Sequence, residues 1–173
     1  AVTGSYDPND ILVNRSTLLT SEFPNPPFLE YTIRFQNTGT DTAFFVKVLN
    51  AIDTNMVQLN TLELLSSSHP VSSMQFVYHE RNMEFKLDNI LLPDSNTNEP
   101  MSHGFLRYKI KPKTTLVLND SIKSFAAIYF DFNNPVLTNT ATTAIVTSSS
   151  VNEYETASIL VFPNPANNQI SIQ

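Results

Sequence analysis

The stretch YTIRFQNTGTDTAFFVKVLNAI, residues 31–52, decides the fold class. Tyr31, Ile33 and Phe35 alternate with Thr32, Arg34 and Gln36. That period of two belongs to a strand with one face buried and the other wet. The next six residues, NTGTDT, supply the Asn, Gly and Asp of a turn. FFVKVLNAI then begins a second apolar run.

The same signature recurs along the chain. NMEFKL (82–87) alternates Met83, Phe85 and Leu87 against Glu84 and Lys86, and HERN (79–82) before it reads as a tight hairpin turn. FLRYKIK (105–111) sets Leu106, Tyr108 and Ile110 against Arg107, Lys109 and Lys111. SFAAIYFDF (124–132) is apolar on both faces, which predicts a central strand. VLTNTATTAIV (136–146) is rich in β-branched residues. Residues 56–65 fit either period and are read as strand. Counting from ILVNRSTLL (11–19), seven to nine strands are expected, with no convincing helix. The economical architecture is an all-β, antiparallel immunoglobulin-like sandwich of two sheets. The prolines of FPNPPF (23–28) and KPK (111–113) fall between strand runs. LLPDSNTNEPMSHG (91–104) suits a passage from one sheet to the other.

Composition bounds the rest. The chain has 173 residues, room for one ordinary domain and a short appendage. Its 41% hydrophobic content supports a packed core. A net charge of -6, with ten scattered basic residues, offers no stripe for nucleic acid or anionic lipid. No apolar run approaches the ~20 residues of a membrane-spanning helix, so direct membrane insertion is not expected. Absent cysteine excludes disulfides and thiolate metal sites. With only Gly4, Gly39 and Gly104, a phosphate-cradling loop, a dinucleotide fingerprint and a nucleophile elbow all fall away. The start at Ala1, without a signal peptide, reads as a processed or excised piece.

After Val146 the pattern changes. Residues 1–147 read as the sandwich and 148–157 as a polar linker. Residues 158–173 read as a separate unit, whose runs 158–162 and 169–172 would make one β-hairpin.

Several segments together carry a family resemblance. SYDPND (5–10), YTIRFQNTGTDTA (31–43), LDNILLPDS (87–95), SHGFLRYKIKPK (102–113) and AAIYFDFNNPVLTNT (126–140) resemble an uncharacterised immunoglobulin-like module. That module stands near the C-terminus of large secreted proteins of Bacteroidota. The tail ASILVFPNPANNQISIQ resembles the opening of the C-terminal sorting domain of type IX secretion. Pro163, Pro165, Asn168 and Ile170 occupy its P-x-P-x-x-(G/N)-x-apolar positions, with Asn164 between the prolines. The later motifs of that domain are absent. The resemblance implies a secreted or cell-surface location and export across the outer membrane. Its implied partners are the type IX translocon and shuttle proteins, beside upstream domains of the same polypeptide. Asp41-Thr42-Ala43 and Asp120-Ser121-Ile122 resemble the O-glycosylation pattern of these bacteria, making Thr42 and Ser121 candidate sites.

The best candidate chemistry is a set of oxygen-rich turns. DPND supplies Asp7, Asn9 and Asp10; DFNN supplies Asp131, Asn133 and Asn134; Asn37 and Asp41 follow YTIRFQ. An immunoglobulin-like topology brings these to one pole, where converging oxygens would suit Ca²⁺. The competing reading is ordinary Asx turns. No cofactor is otherwise required. His69, His79 and His103 lack zinc spacing, and Glu63, Glu80 and Glu84 suit solvated strand edges better than a glycosidase pair. Carbohydrate binding needs exposed aromatics. Phe35, Phe44, Phe85 and Tyr108 alternate into the expected core, leaving Phe28, Tyr154 and Phe162 as exposed candidates. The expected function is a non-catalytic extracellular spacer carrying the start of a sorting signal. The alternative is an adhesion or carbohydrate-binding module.

Overall fold

A computed structural model describes residues 8–23 and 25–147, and the strand backbone of four tail residues. The elements in order are β1 (Asp10–Val13), β2 (Thr17–Leu19), β3 (Leu29–Gln36), β4 (Ala43–Ile52), β5 (Val57–Ser67), β6 (Ser73–Val77), β7 (Asn82–Leu92), α1 (Ser95–Asn98), β8 (His103–Pro112), β9 (Ser121–Phe130), β10 (Val136–Leu137) and β11 (Ala141–Val146). In the tail, β12 (Val161–Phe162) pairs antiparallel with β13 (Ser171–Ile172). The smaller sheet runs β1-β3-β8-β5 and the larger β2-β11-β9-β4-β7-β6, with β10 also on β9. All pairings in the two sheets are antiparallel except β2 on β11. This is the expected immunoglobulin-like sandwich, but with eleven strands rather than seven to nine among the described residues. ILVNRSTLL divides between the sheets, and the short β6 and β10 add to the larger one.

Alternation builds the core. Leu29, Tyr31, Ile33 and Phe35 of β3 and Leu106, Tyr108 and Ile110 of β8 point inward from the smaller sheet. Val46 and Val48, Phe85 and Leu87, and Ile128 meet them from the larger. Residues 56–65, ambiguous by period, lie almost wholly in strand β5.

ILVNRSTLL is two strands rather than one. Asn14 still belongs to the smaller sheet, donating N–H to the Glu30 carbonyl and accepting from the Glu30 amide. Two residues on, the chain belongs to the larger. The Ser16 carbonyl accepts from the Ala144 amide, and the Arg15 carbonyl accepts from the Thr143 hydroxyl at 2.6 Å. The side chain of Asn139 seals the edge that β1 leaves open. Its Oδ1 accepts from the Ile11 amide at 2.9 Å and its Nδ2 donates to the Ile11 carbonyl at 3.1 Å. Edge groups satisfied by a side chain are closed to pairing with another strand.

The passage from β7 to β8 changes sheets, as the sequence predicts, but contains the single turn of α1. Asp94 caps it: Oδ1 accepts from the amides of Asn96 and Thr97, both at 3.0 Å. Hydrogen bonds from Thr97, the side chain foremost, hold the Asp94 carboxyl below the usual carboxylate range against an opposing desolvation. A carboxyl depressed by folding stabilises the fold fully above its unfolded value, about 3.9, and loses that contribution as pH falls through the folded value. Thermal melts between about pH 5 and pH 2 should therefore show a shallower acid decline for Asp94→Asn than for wild type. Parallel curves would contradict this assignment.

Two local departures leave aromatic side chains in solvent. SFAAIYFDF gives β9, which is central between β11 and β4, yet only one of its faces is covered. Ala126, Ile128 and Phe130 are buried, whereas Phe125 is 44% exposed. Phe44, expected in the core, is also exposed. The ladder of β4 with β7 shifts register between Ala43 and Phe45, and that bulge turns Phe44 outward.

Candidate functional site

The outer face of the larger sheet carries a group of aromatic side chains beside an open cleft. Inward Val46, Val48, Asn50 and Ile52 force Phe45, Lys47, Leu49 and Ala51 of β4 outward. By the same rule Phe125, Ala127 and Tyr129 face outward from β9. Register places Lys47 between Tyr129 on one side and Lys86 on the other, and Phe45 opposite Asp88. The Lys47 ammonium stands 4.4 Å from the centroid of the Tyr129 ring.

The loop after β9 completes the group. Asp131 adopts a left-handed backbone, φ 52°, which Asp tolerates better than most residues. Its Oδ1 accepts from the amides of Phe44 and Phe45 at 2.8 and 2.9 Å, and its own amide donates to the Phe45 carbonyl. The Asn133 side chain donates to the Phe130 carbonyl at 3.0 Å. The chain is thereby folded back so that Phe132 meets Phe45 edge-on, centroids 5.2 Å apart and planes at 80°. Phe132 is nevertheless 97% exposed. Between these rings, Lys47, Lys86, Asp88, Asn134 and Pro135 lies an open cleft of about 550 Å³.

The residues expected to bind Ca²⁺ come from three segments. Strand directions put the start of β1, the 37–42 turn and the 131–135 loop at one pole, and Phe35 touches Phe130 there. The individual donors serve the fold. Asn9 Oδ1 accepts from the Gln36 amide, Asp10 forms a two-pronged ion pair with Arg34, and Asp131 and Asn133 hold their loop. Asn37 bonds Gly39, Asp41 and Leu92, and Asp41 bonds the Thr42 amide. Among the described residues no three His, Asp or Glu side chains gather around a metal position. Asp7 lies outside the described residues.

Thr42 sits half-buried where the 37–42 turn meets β4, and Ser121 opens β9 opposite Ala144. The histidines are apart: His69 touches Ser68, His79 touches Glu80 and His103 touches Glu99. Glu63 pairs with Lys109, and Glu84 with Gln75 and Lys86. Phe28 is half-buried beneath Lys109 and Lys111. Tyr154, the side chain of Phe162, and Pro163, Asn164, Pro165, Asn168 and Ile170 lie outside the described residues. Sequence reasoning missed Phe45, Tyr129 and Phe132. Their signal was present in the two-faced apolarity of SFAAIYFDF and in an aromatic just beyond the strand end.

A family model for a domain of unknown function, DUF7619, matches residues 7–144. The chain belongs to the DUF7619 family. No curated protein sequence matches it. Solved structures are similar to the DUF7619 domain at low identity. The N-terminal domain of the Streptococcus gordonii adhesin Sgo0707 aligns with TM-score 0.55 and 11% identity, over 81% of this chain and 33% of that one. The Enterococcus faecalis MSCRAMM ACE, described as binding its ligands by the collagen Hug model, aligns with TM-score 0.50 and 7% identity. The overlap there is 84% of this chain and 52% of that one. The chain thus spans a third of the first and about half of the second. At these identities the likeness shows the fold alone, and it agrees with the sandwich of the DUF7619 domain.

Proposed function

We propose that this chain is a non-catalytic, ligand-binding immunoglobulin-like module of a secreted or cell-surface protein, that its role is adhesion, and that the outer face of its larger sheet makes the contact. One observation carries this reading. Phe132, 97% exposed, meets half-buried Phe45 edge-on, and half-buried Tyr129 lines the same open cleft. A spacer needs stiffness and a polar skin, and contiguous exposed apolar surface on a soluble domain marks an interaction site. The likeness to surface adhesin domains supports the same direction. Nothing in this reading requires a cofactor.

The sorting-signal reading belongs to the tail and is compatible with it. The pairing of β12 with β13 supports the hairpin that resembles the opening of a type IX sorting domain. On that reading the chain comes from a Bacteroidota protein, and its tail is read by the outer-membrane translocon and shuttle proteins. An open strand edge is one means of such recognition. No helix among the described residues is long and apolar enough to cross a membrane.

Attachment tests the module directly. Beads coated with the whole chain are washed over surfaces bearing collagen, polysaccharides or bacterial cells. At least one surface should retain them, and the pair Tyr129→Ala and Phe132→Ala should reduce retention about tenfold or more, as loss of central aromatic anchors does. Retention everywhere equal to albumin-blocked glass would favour the spacer. Retention indifferent to the two substitutions would move the contact off this face.

A further inference from the structure

We infer that the cleft over Tyr129 and Phe132 is a saccharide-binding site for a neutral pyranose chain. This rests on reading the face as a ligand surface and names the ligand class. The floor is aromatic: Phe132 meets Phe45 edge-on, and Tyr129 lines the same cleft with the Lys47 ammonium beside one face of its ring. A pyranose presents C–H groups on one face and hydroxyls around its edge, so it needs a flat apolar floor with a polar rim.

The rim is polar and unspent. The Asp88 carboxylate and the Asn134 amide make no hydrogen bond or ion pair with described residues, and the second carboxylate oxygen of Asp131 accepts none. Donor and acceptor capacity of this kind is what ring hydroxyls use.

Charge selects the class. The cleft has two lysines, Lys47 and Lys86, and two aspartates, Asp88 and Asp131. Lys86 is already paired with Glu84, so the cleft has no surplus of positive charge, and the Lys47 ammonium over the Tyr129 ring opposes a cation there. A phosphate, sulfate or uronate would call for a net positive site, and a cationic ligand for a net negative one. A neutral ligand remains.

The strand sets the length. Phe125 faces the same way as Tyr129 four residues earlier on β9, about 13 Å away at 3.3 Å per residue. Flat Ala127 lies between them, and exposed Leu137 stands opposite it. The platform therefore continues past one ring, which suits a chain rather than a single sugar.

Calorimetric titration of the whole chain with cellohexaose, laminarihexaose, mannohexaose and hexagalacturonate tests the inference. At least one neutral hexasaccharide should bind, and each of Phe132→Ala and Tyr129→Ala should weaken it about tenfold or more. Phe105→Ala, on the outer face of the other sheet, should leave binding unchanged. Unaltered melting of Phe132→Ala, whose ring is almost fully exposed, would show that a loss of binding is not a loss of fold. No neutral hexasaccharide binding, or hexagalacturonate binding better than all three, overturns the inference. Phe132-dependent bead retention on collagen without saccharide binding leaves adhesion standing and removes this ligand class. Failure of both removes both.

Discussion

Replacing Asn50 with leucine is expected to destabilise the domain by about 2–4 kcal/mol, lowering the melting temperature by on the order of 10 °C. Asn50 is fully buried on β4, between the sheets. Its Nδ2 donates to the Ser124 hydroxyl and the Phe125 carbonyl, both at 2.8 Å. Its Oδ1 accepts from the Tyr108 hydroxyl at 2.5 Å. Tyr108 comes from the opposite sheet, its ring stacked on Tyr31 at 5.2 Å and tilted against Phe85 at 5.7 Å. Burial pushes its hydroxyl well above the ordinary tyrosine range, so it stays protonated and must donate. Leucine fills much of the space but removes the acceptor for that hydroxyl and leaves the Ser124 hydroxyl and the Phe125 carbonyl without the Asn50 donor.

The energetic logic makes the pair separable from its parts. Tyr108→Phe alone should cost about 1–3 kcal/mol, because Asn50 Oδ1 is then buried without a donor. The double variant Asn50→Leu/Tyr108→Phe should cost less than the sum, since neither partner is left unsatisfied. Urea unfolding of the four proteins gives the coupling. Additive losses, or a neutral Tyr108→Phe, would show that this bond does not tie the sheets together.

The second large effect is expected at Gly104, near the start of β8. A Cβ there would lie 2.1 Å from Phe35 Cε2 and 2.3 Å from Cζ. Phe35 is the cross-strand partner of Gly104, is fully buried, and packs its ring edge against Phe130 at 6.3 Å. The ring therefore cannot swing aside into solvent. Gly104→Ala should cost about 3 kcal/mol as overpacking, and Phe35→Leu in the same chain should return part of it. A silent Gly104→Ala would mean that the ring does not lie across this glycine.

Much of the fold was legible because one face of nearly every strand is buried. Where that holds, as in β3, β7 and β8, alternation alone names the inward residues. It failed where local geometry broke the period. The bulge at the start of β4 exposes Phe44, and the sheet switch within ILVNRSTLL depends on carbonyls meeting Thr143 and Ala144, far along the chain. β9 was read correctly as central, but its second apolar face is uncovered surface rather than a second buried layer.

The site was legible only as ingredients. The sequence shows that Asp131 and Asn133 carry oxygens. It does not show that the amides of Phe44 and Phe45, more than eighty positions away, take up one oxygen of Asp131. Nor does it show that the same contact lays Phe132 over Phe45. The acidic loop thus sets an aromatic surface in place, and its role emerges only from the long-range pairing of β4 with β9.

Hydroxyl-radical footprinting of the whole chain, free and then seated on a surface that retains it, tests the adhesive face most directly. Protection is predicted at Phe45, Tyr129 and Phe132, with Phe105 and Leu12 on the other sheet oxidised as before. Protection at Phe105 and Leu12, with Phe132 still fully reactive, would contradict it.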